Sequence, residues 1–127
     1  MSKVKFELEI PVHASPAMLY QKFATPSGLE EWFADRVNSR GKKLIFFWDD
    51  SEEEAILVTK KAEERVKYKW VESEDDESYF EFKIQVDPLT KDVSVIITDF
   101  ADDEDDVEEA KMLWENQIDE LKHSIGA

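Results

Sequence analysis

Five side chains able to donate, accept or exchange a proton sit within otherwise apolar stripes: Tyr68, Thr98, Asp99, Asn116 and Gln117. The two histidines, His13 and His123, complete the candidates for acid–base work. Such chemistry needs partners, either a base beside a nucleophile or two carboxylates in contrasting environments. The spacing supplies neither. Tyr68 lies between Val66 and Trp70, where a core aromatic with a satisfied hydroxyl is expected. Asp99 falls near a strand end, the usual place for capping or loop bonding. Gln117, between Trp114 and Ile118, can face an interior space or an edge. His13 follows a strand and precedes a helix cap, which makes it a surface-turn residue. His123 belongs to a last helical turn, where a positive ring suits the dipole. The chain has no cysteine, which removes disulfides, thiolate catalysis and Cys-type zinc sites. With only Gly28, Gly41 and Gly126, it has no glycine-rich phosphate loop. No catalytic residue, metal ligand or cofactor is expected.

The acidic residues are the next place to look for chemistry. Of the 127 residues, 31 are Asp or Glu and 16 are Lys or Arg, a net charge of −15. That balance argues against DNA, RNA and anionic lipid headgroups, whose phosphates need a surplus of positive charge. The acids concentrate in three stretches, Asp49–Glu54, Glu72–Glu77 and Asp102–Glu109. A calcium loop of the EF-hand type needs a glycine sixth and a glutamate twelfth. Counted from Asp49 those positions hold Glu54 and Lys60; counted from Asp99 they hold Glu104 and Ala110. Neither window passes. The stretches are expected to be two solvated hairpin loops and one helix start.

Aromatic residues offer a different chemistry, burial of an apolar guest. Phe46, Trp48, Tyr68, Trp70, Phe82 and Trp114 belong to segments that must meet, and Trp32, Gln117 and Ile118 join them. If they enclose a space, it suits an apolar or aromatic small molecule, oriented by Tyr68, Gln117 or an indole N–H. A tightly packed aromatic core is the competing expectation.

The elements that position these residues can be read from period. Lys5 to Val12 alternates, with Phe6, Leu8, Ile10 and Val12 on one face, as in a half-buried strand. Ser15-Pro16 and Thr25-Pro26 each pair a capping side chain with a first-turn proline, predicting two short helices. The first presents Met18, Leu19 and Phe23; the second presents Leu29, Trp32 and Phe33. Five or six strands follow: Arg36–Asn38, Leu44–Trp48, Ala55–Lys60, Val66–Trp70, Phe80–Val86 and Val93–Phe100. Short polar connections favour hairpins, hence an antiparallel sheet in which Lys69 and Glu81 are expected to pair across strands. From Asp106 the period becomes helical, with Val107, Ala110, Leu113, Trp114, Ile118, Leu121 and Ile125 in one stripe. Asp106 and Glu109 have capping-box spacing, and Gly126 ends the helix. The fold class is therefore α+β: a curved antiparallel sheet of six or seven strands wrapped around a long C-terminal helix, with two short helices after the first strand. No apolar run approaches the ~20 residues of a membrane span, and the N-terminus does not read as a signal peptide. A cytoplasmic protein is expected.

This order of elements resembles the helix-grip fold of the START-like, SRPBCC superfamily. The resemblance rests on Ser15-Pro16-Ala17-Met18-Leu19-Tyr20, on Thr25-Pro26-Ser27-Gly28-Leu29-Glu30-Glu31-Trp32-Phe33, and on Arg65-Val66-Lys67-Tyr68-Lys69-Trp70. The helix from Leu113-Trp114 to Leu121 matches the family's closing helix. Within the superfamily the chain is most similar to bacterial relatives of the activator of the ninety-kilodalton heat-shock chaperone's ATPase. Leu113 stands where those relatives usually carry glycine, and the strand at Ile97–Phe100 lacks a frequent histidine. The likeness covers residues 3–125, so one domain over 1–127 is expected. The aromatic residues favour non-enzymatic binding of a small hydrophobic ligand between sheet and helix; beside that reading, the resemblance suggests a protein-interaction module of the chaperone-activator type and, ranked below both, an enzyme of the polyketide-cyclase kind. The interaction reading draws on Arg36, Arg40, Lys42 and Lys43, a basic patch in an acidic chain that can steer a protein partner.

Overall fold

The alternation of Phe6, Leu8 and Ile10 becomes strand β1 (Val4–Pro11), with these side chains inward and Lys5, Glu7 and Glu9 exposed. A computed structural model describes residues 3–71 and 78–126; the acidic stretch Glu72–Glu77 lies outside the described residues. After β1 come α1 (Pro16–Ala24) and α2 (Pro26–Glu30). The two Ser/Thr-Pro signals act as expected. The Ser15 hydroxyl accepts from the Met18 N–H at 3.2 Å, and the Thr25 hydroxyl accepts from the Gly28 N–H at 3.0 Å. Thr25 also donates to the Gln21 carbonyl at 2.7 Å, so one side chain ends α1 and starts α2.

That tight junction sets a demand at Gly28. A Cβ there would lie 2.3 Å from the Gln21 carbonyl oxygen and 2.8 Å from the Lys22 Cα, both backbone atoms unable to move aside. Gly28→Ala is expected to cost about 1–3 kcal/mol of stability, as overpacking generally does. Urea unfolding checks this, and an unchanged midpoint would mean the two helices can separate freely.

The remaining strands are β2 (Arg36–Arg40), β3 (Lys43–Trp48), β4 (Ser51–Lys61), β5 (Arg65–Trp70), β6 (Phe80–Val86) and β7 (Val93–Ala101). They form one seven-stranded sheet in the order β1-β7-β6-β5-β4-β3-β2. All neighbours are antiparallel. The chain meanders from β2 to β7, and β1 adds itself beyond β7. A register shift between Leu57 and Thr59 leaves Val58 exposed and marks a bulge, which bends a sheet. Helix α3 (Val107–Ile125) packs along β1 and β7 through Trp114, Ile118 and Leu121, while α1 lies over β5 and β6.

Several expectations need correction. Asp49–Glu54 is not a loop: only Asp49 and Asp50 turn, and Ser51–Glu54 is strand, because pairing with Ile45, Phe46 and Phe47 satisfies its backbone. Register puts Lys67, not Lys69, opposite Glu81. Trp32 and Phe33 are buried but lie in the turn after α2, which stops at Glu30. Met18 and Leu113 are exposed rather than packed, since each sits at the border of its helix's inner face. The start of α3 is also built differently. The Asp103 carboxylate accepts from the Asp106 N–H at 3.1 Å and caps a 3-10 turn over Glu104–Asp106, and Asp106 makes no side-chain cap. Crowding by Asp103 and neighbouring acids raises the Asp106 pKa, so a further capping carboxylate there would be electrostatically disfavoured. Gly126 ends α3 with φ 73°, a left-handed value that glycine adopts without strain.

Candidate functional site

The candidate aromatic residues divide into an inner and an outer group. Phe46, Tyr68, Phe82 and Ile118 are fully buried, and Trp32 and Trp114 nearly so. Rings touch continuously through this interior. Phe23 stacks on Phe82 with centroids 4.5 Å apart, Trp70 stacks on Phe80 at 4.8 Å, and Trp114 meets Phe82 edge-on at 5.6 Å. The Tyr68 hydroxyl donates to the Phe23 carbonyl at 2.6 Å, satisfying an acceptor at the end of α1 that the helix itself leaves open. Burial, with the nearby Tyr20 phenol, pushes the Tyr68 pKa far up, so this donor stays protonated. Tyr68 is thus a core aromatic with a satisfied hydroxyl.

The outer group, Trp48, Trp70 and Gln117, is half-buried. Two open clefts meet where Phe33 and Gln117 line both. One, of about 210 Å³, lies between Phe33, Asp99 and the Ala110, Leu113, Trp114 and Gln117 face of α3. The other, of about 420 Å³, is lined by Trp48, Trp32, Gln117, Glu120 and the segment from Glu30 to Asp35. Helical spacing explains the shared wall, because Ala110, Leu113, Trp114, Gln117 and Glu120 fall within one face of α3. The smaller cleft has mainly apolar walls, with Gln117 and Asp99 as its polar side chains, whereas Glu30, Glu31, Asp35 and Glu120 make the larger one mostly polar.

Asp99 gives this site its electrostatic character. Register places it opposite Phe6, on the sheet's inner face, in phase with Val95 and Ile97. One carboxylate oxygen accepts from the Trp114 indole N–H at 2.8 Å and the other from the Phe100 N–H at 2.7 Å. Burial raises its pKa; those two donors, and the charge of Lys3, pull against that rise. Its position near a strand end points to capping or loop bonding, yet the side chain joins the sheet to α3. The alternation Val95-x-Ile97-x-Asp99 is the signal that could have revealed this.

Phe33 is the other residue whose importance spacing understates. It stacks on Trp114 (5.9 Å, 14°) and on Phe80 (6.0 Å, 24°), and meets Phe46 and Trp48 edge-on. Its carbonyl accepts the Trp48 indole N–H at 3.0 Å. The Trp32 indole donates to the Lys22 carbonyl at 3.0 Å. The indole donors of Trp32, Trp48 and Trp114 are therefore engaged within the protein.

The other candidates lie elsewhere. Thr98 donates to the Glu7 carboxylate at 3.3 Å on the outer face, and Asn116 is exposed. His123 is exposed and its Nδ1 contacts the Asp119 carbonyl at 3.0 Å. His13, also exposed, borders a concavity of about 560 Å³ between the β6–β7 hairpin and the end of β1. That concavity is an assembly of polar loops. Asp87 there is committed to the Leu89 and Thr90 N–H groups, and Glu9 to the Ser94 hydroxyl.

Arg36 and Arg40 project from the exposed face of β2, at the sheet's edge, with Lys42 in the following turn and Lys43 opposite Arg40. Lys43 is neutralised by pairing with Glu54 at 2.6 Å, while Arg36 keeps its charge and lies over the Phe47 ring at 4.4 Å. Among the described residues no group of three metal-ligating side chains gathers, and no helix is long and apolar enough to cross a membrane.

A family model described as a START-like superfamily domain matches residues 1–127. Among solved structures, BfR322 from Bacteroides fragilis aligns over 98% of this chain and 93% of its own, with 33% identity and a TM-score of 0.71. The Aha1 dimer from Colwellia psychrerythraea aligns over 94% and 93%, with 16% identity and a TM-score of 0.77. DynU16, a protein of the dynemicin biosynthetic locus, aligns over 97% of this chain but 47% of its own, with 12% identity and a TM-score of 0.79. The last two likenesses are of fold alone. No curated protein matches in sequence.

Proposed function

The chain belongs to the START-like superfamily, and from that premise we propose that it binds a small apolar or aromatic ligand, without catalysing its conversion, in the clefts beside α3. The observation that carries this reading is the paired cleft where Phe33, Leu113, Trp114 and Trp48 present apolar surface around Gln117. Leu113 is 61% exposed there, a large apolar side chain whose burial by a guest would be favourable. The non-catalytic part of the reading rests on Asp99, whose two oxygens are each engaged by an N–H donor. Trp48 and Trp114 are built-in reporters. Fatty acids, sterols and aromatic metabolites should be screened by tryptophan fluorescence and thermal unfolding. A ligand at a hundred times its Kd is expected to add about 2.7 kcal/mol of stability. Flat responses across all three classes would overturn the proposal.

A second reading, a protein-interaction module, is favoured by one observation. Arg36, Arg40 and Lys42 are exposed together at the β2 edge of a chain of net charge −15. It predicts a protein partner whose association weakens with salt and is lost on Arg36→Glu with Arg40→Glu.

A further inference from the structure

Sheet edges are where a backbone still has hydrogen bonds to give, and the two edges here differ. At one end β2 is five residues long, α2 lies against it, and the Glu30 carboxylate accepts the Val37 N–H at 3.0 Å. At the other end β1 runs for eight residues beside β7 with no break in register, from Val4 opposite Ala101 to Pro11 opposite Ser94. The Val12 N–H donates to the Val93 carbonyl at 3.0 Å, which continues that register. In an antiparallel pair alternate residues turn both backbone groups toward the neighbour, so Val4, Phe6, Leu8 and Ile10 serve β7. Lys5, Glu7 and Glu9 therefore direct their N–H and C=O groups outward, and among the described residues nothing accepts from those N–H groups. A cleft of about 370 Å³ lies beside this edge, between the stretch from Val4 to Glu7 and Glu104, Val107, Glu108 and Lys111 at and just before the start of α3. Proline or a β-bulge commonly blunts such an edge; neither interrupts the strand from Val4 to Ile10.

We propose that a second copy of this chain pairs with that edge, β1 against β1, about a two-fold axis at Phe6. The segment Lys3-Val4-Lys5-Phe6-Glu7-Leu8-Glu9 is complementary to itself when reversed. In this register Lys5 stands opposite the partner's Glu7, Lys3 stands opposite the partner's Glu9, and the axis repeats both pairs. Every facing charge is then of opposite sign, which stabilises cross-strand neighbours. The backbone agrees, because Lys5 and Glu7, whose N–H and C=O groups point outward, become the hydrogen-bonded pairs of the new ladder. On the inner face Val4 meets the partner's Leu8, and both are half-buried at the open edge. Sliding the partner by two residues either way sets Glu7 against Glu7 or Lys5 against Lys5, so charge selects the register. Lys5, Glu7 and Glu9 are exposed. Glu7 and Glu9 accept the Thr98 and Ser94 hydroxyls through one oxygen each, which leaves the other to meet a lysine. The net charge of −15 opposes association, but at about 0.15 M salt that repulsion is screened beyond ~8 Å, while the edge pairs are in contact. The contact is isologous and closes at two copies. It uses neither the clefts beside α3 nor the β2 edge, so it is independent of both readings above.

Sedimentation equilibrium of the full chain from about 10 μM to 1 mM, in about 0.15 M salt, measures the association. A monomer–dimer equilibrium is expected, with the Lys5 and Glu7 N–H groups exchanging more slowly with solvent as concentration rises. Lys5→Glu and Glu7→Lys, each alone, place like charges across the edge and should weaken dimerisation about tenfold. Mixed in equal amounts, the two variants restore opposite charges at the Lys5–Glu7 pairs, and a mixed dimer within about threefold of the parent's affinity is expected. One substitution adds two negative charges and the other removes two, so the mixed dimer has the parent dimer's total charge and the rescue reports the pairing alone. A parent that stays monomeric at about 1 mM would overturn the proposal and leave this edge to an extended segment of another protein. A dimer indifferent to both variants would place the contact on another surface and overturn it as well. Weakening by both variants without rescue on mixing would overturn this register. The parent's association and the exchange of its edge N–H groups need no variant, so the proposal stays refutable even if a substitution unfolds the chain.

Discussion

Phe33→Ala is expected to lower the free energy of unfolding by about 3–5 kcal/mol, the range for deleting a buried aromatic side chain. Phe33 is only 5% exposed although it belongs to a turn. Its ring touches those of Trp32, Phe46, Trp48, Phe80 and Trp114, which come from the turn itself, β3, β6 and α3. Each such ring pair contributes about 0.5–1.5 kcal/mol beyond its buried area. Removing the ring would also take away the wall shared by the two clefts, so they should merge and accept a larger guest. Urea unfolding gives the stability, and Trp48 fluorescence follows the exposure of the site. A loss below about 1 kcal/mol would show that the turn yields and closes over the gap, as well-relaxing sites do.

Trp114→Phe is expected to have the second large effect, one that depends on pH. Burial holds the folded-state pKa of Asp99 above its unfolded value, so the native structure prefers the protonated carboxyl. The stability Asp99 contributes is therefore greatest below its unfolded pKa and is lost as pH rises through the folded one. The indole N–H of Trp114 opposes that loss by stabilising the ionised form. At neutral pH the variant forfeits a hydrogen bond to a charge, about 1.5–3 kcal/mol; with Asp99 protonated it forfeits a neutral one, about 0.5–1.5 kcal/mol. Its stability should accordingly fall more steeply than the parent's as pH rises from the acid range. Unfolding curves across pH for the parent, Trp114→Phe, Asp99→Asn and the double variant isolate the coupling. The extra slope should disappear when Trp114→Phe is combined with Asp99→Asn. Parallel curves for parent and Trp114→Phe would sink the argument.

Both effects arise where distant segments meet, and that is where reading residues in order was weakest. The capping signals at Ser15-Pro16 and Thr25-Pro26 were legible because a cap, its proline and the N–H it serves lie within three residues. Strand alternation from Phe6 to Ile10 and from Phe80 to Ile84 was legible because the pleat repeats every two residues. The START-like likeness followed from the same local blocks. Misreadings came where a local rule had a nonlocal competitor. The acids of Ser51–Glu54 looked like a solvated loop, yet pairing with β3 drew them into a strand. Asp106 and Glu109 had capping-box spacing, yet Asp103 took the capping role one turn earlier.

The candidate site shows the same division. Tyr68 could be placed in the core from its neighbours Val66 and Trp70, but its acceptor, Phe23, lies 45 positions away. Asp99 lies in phase with Val95 and Ile97, so its inward direction was available from the alternation. Its bond to Trp114 was not, because that depends on how α3 crosses β7.

The residues in order determined the elements, their sequence along the chain, the sheet-and-helix architecture and the family, since each follows from periods, caps and motifs a few residues long. They also determined that the charge of −15 lies mostly after residue 48. Only the tertiary structure decided which aromatics are sealed inside and which border open space, and that the side chains lining the clefts include five acids and no base among the described residues. The physical reason is that a cleft is a property of two surfaces brought together. The register of β1 on β7 and the seating of α3 on both bring Phe33, Asp99 and Gln117 around one space, and neither is encoded in any single short segment.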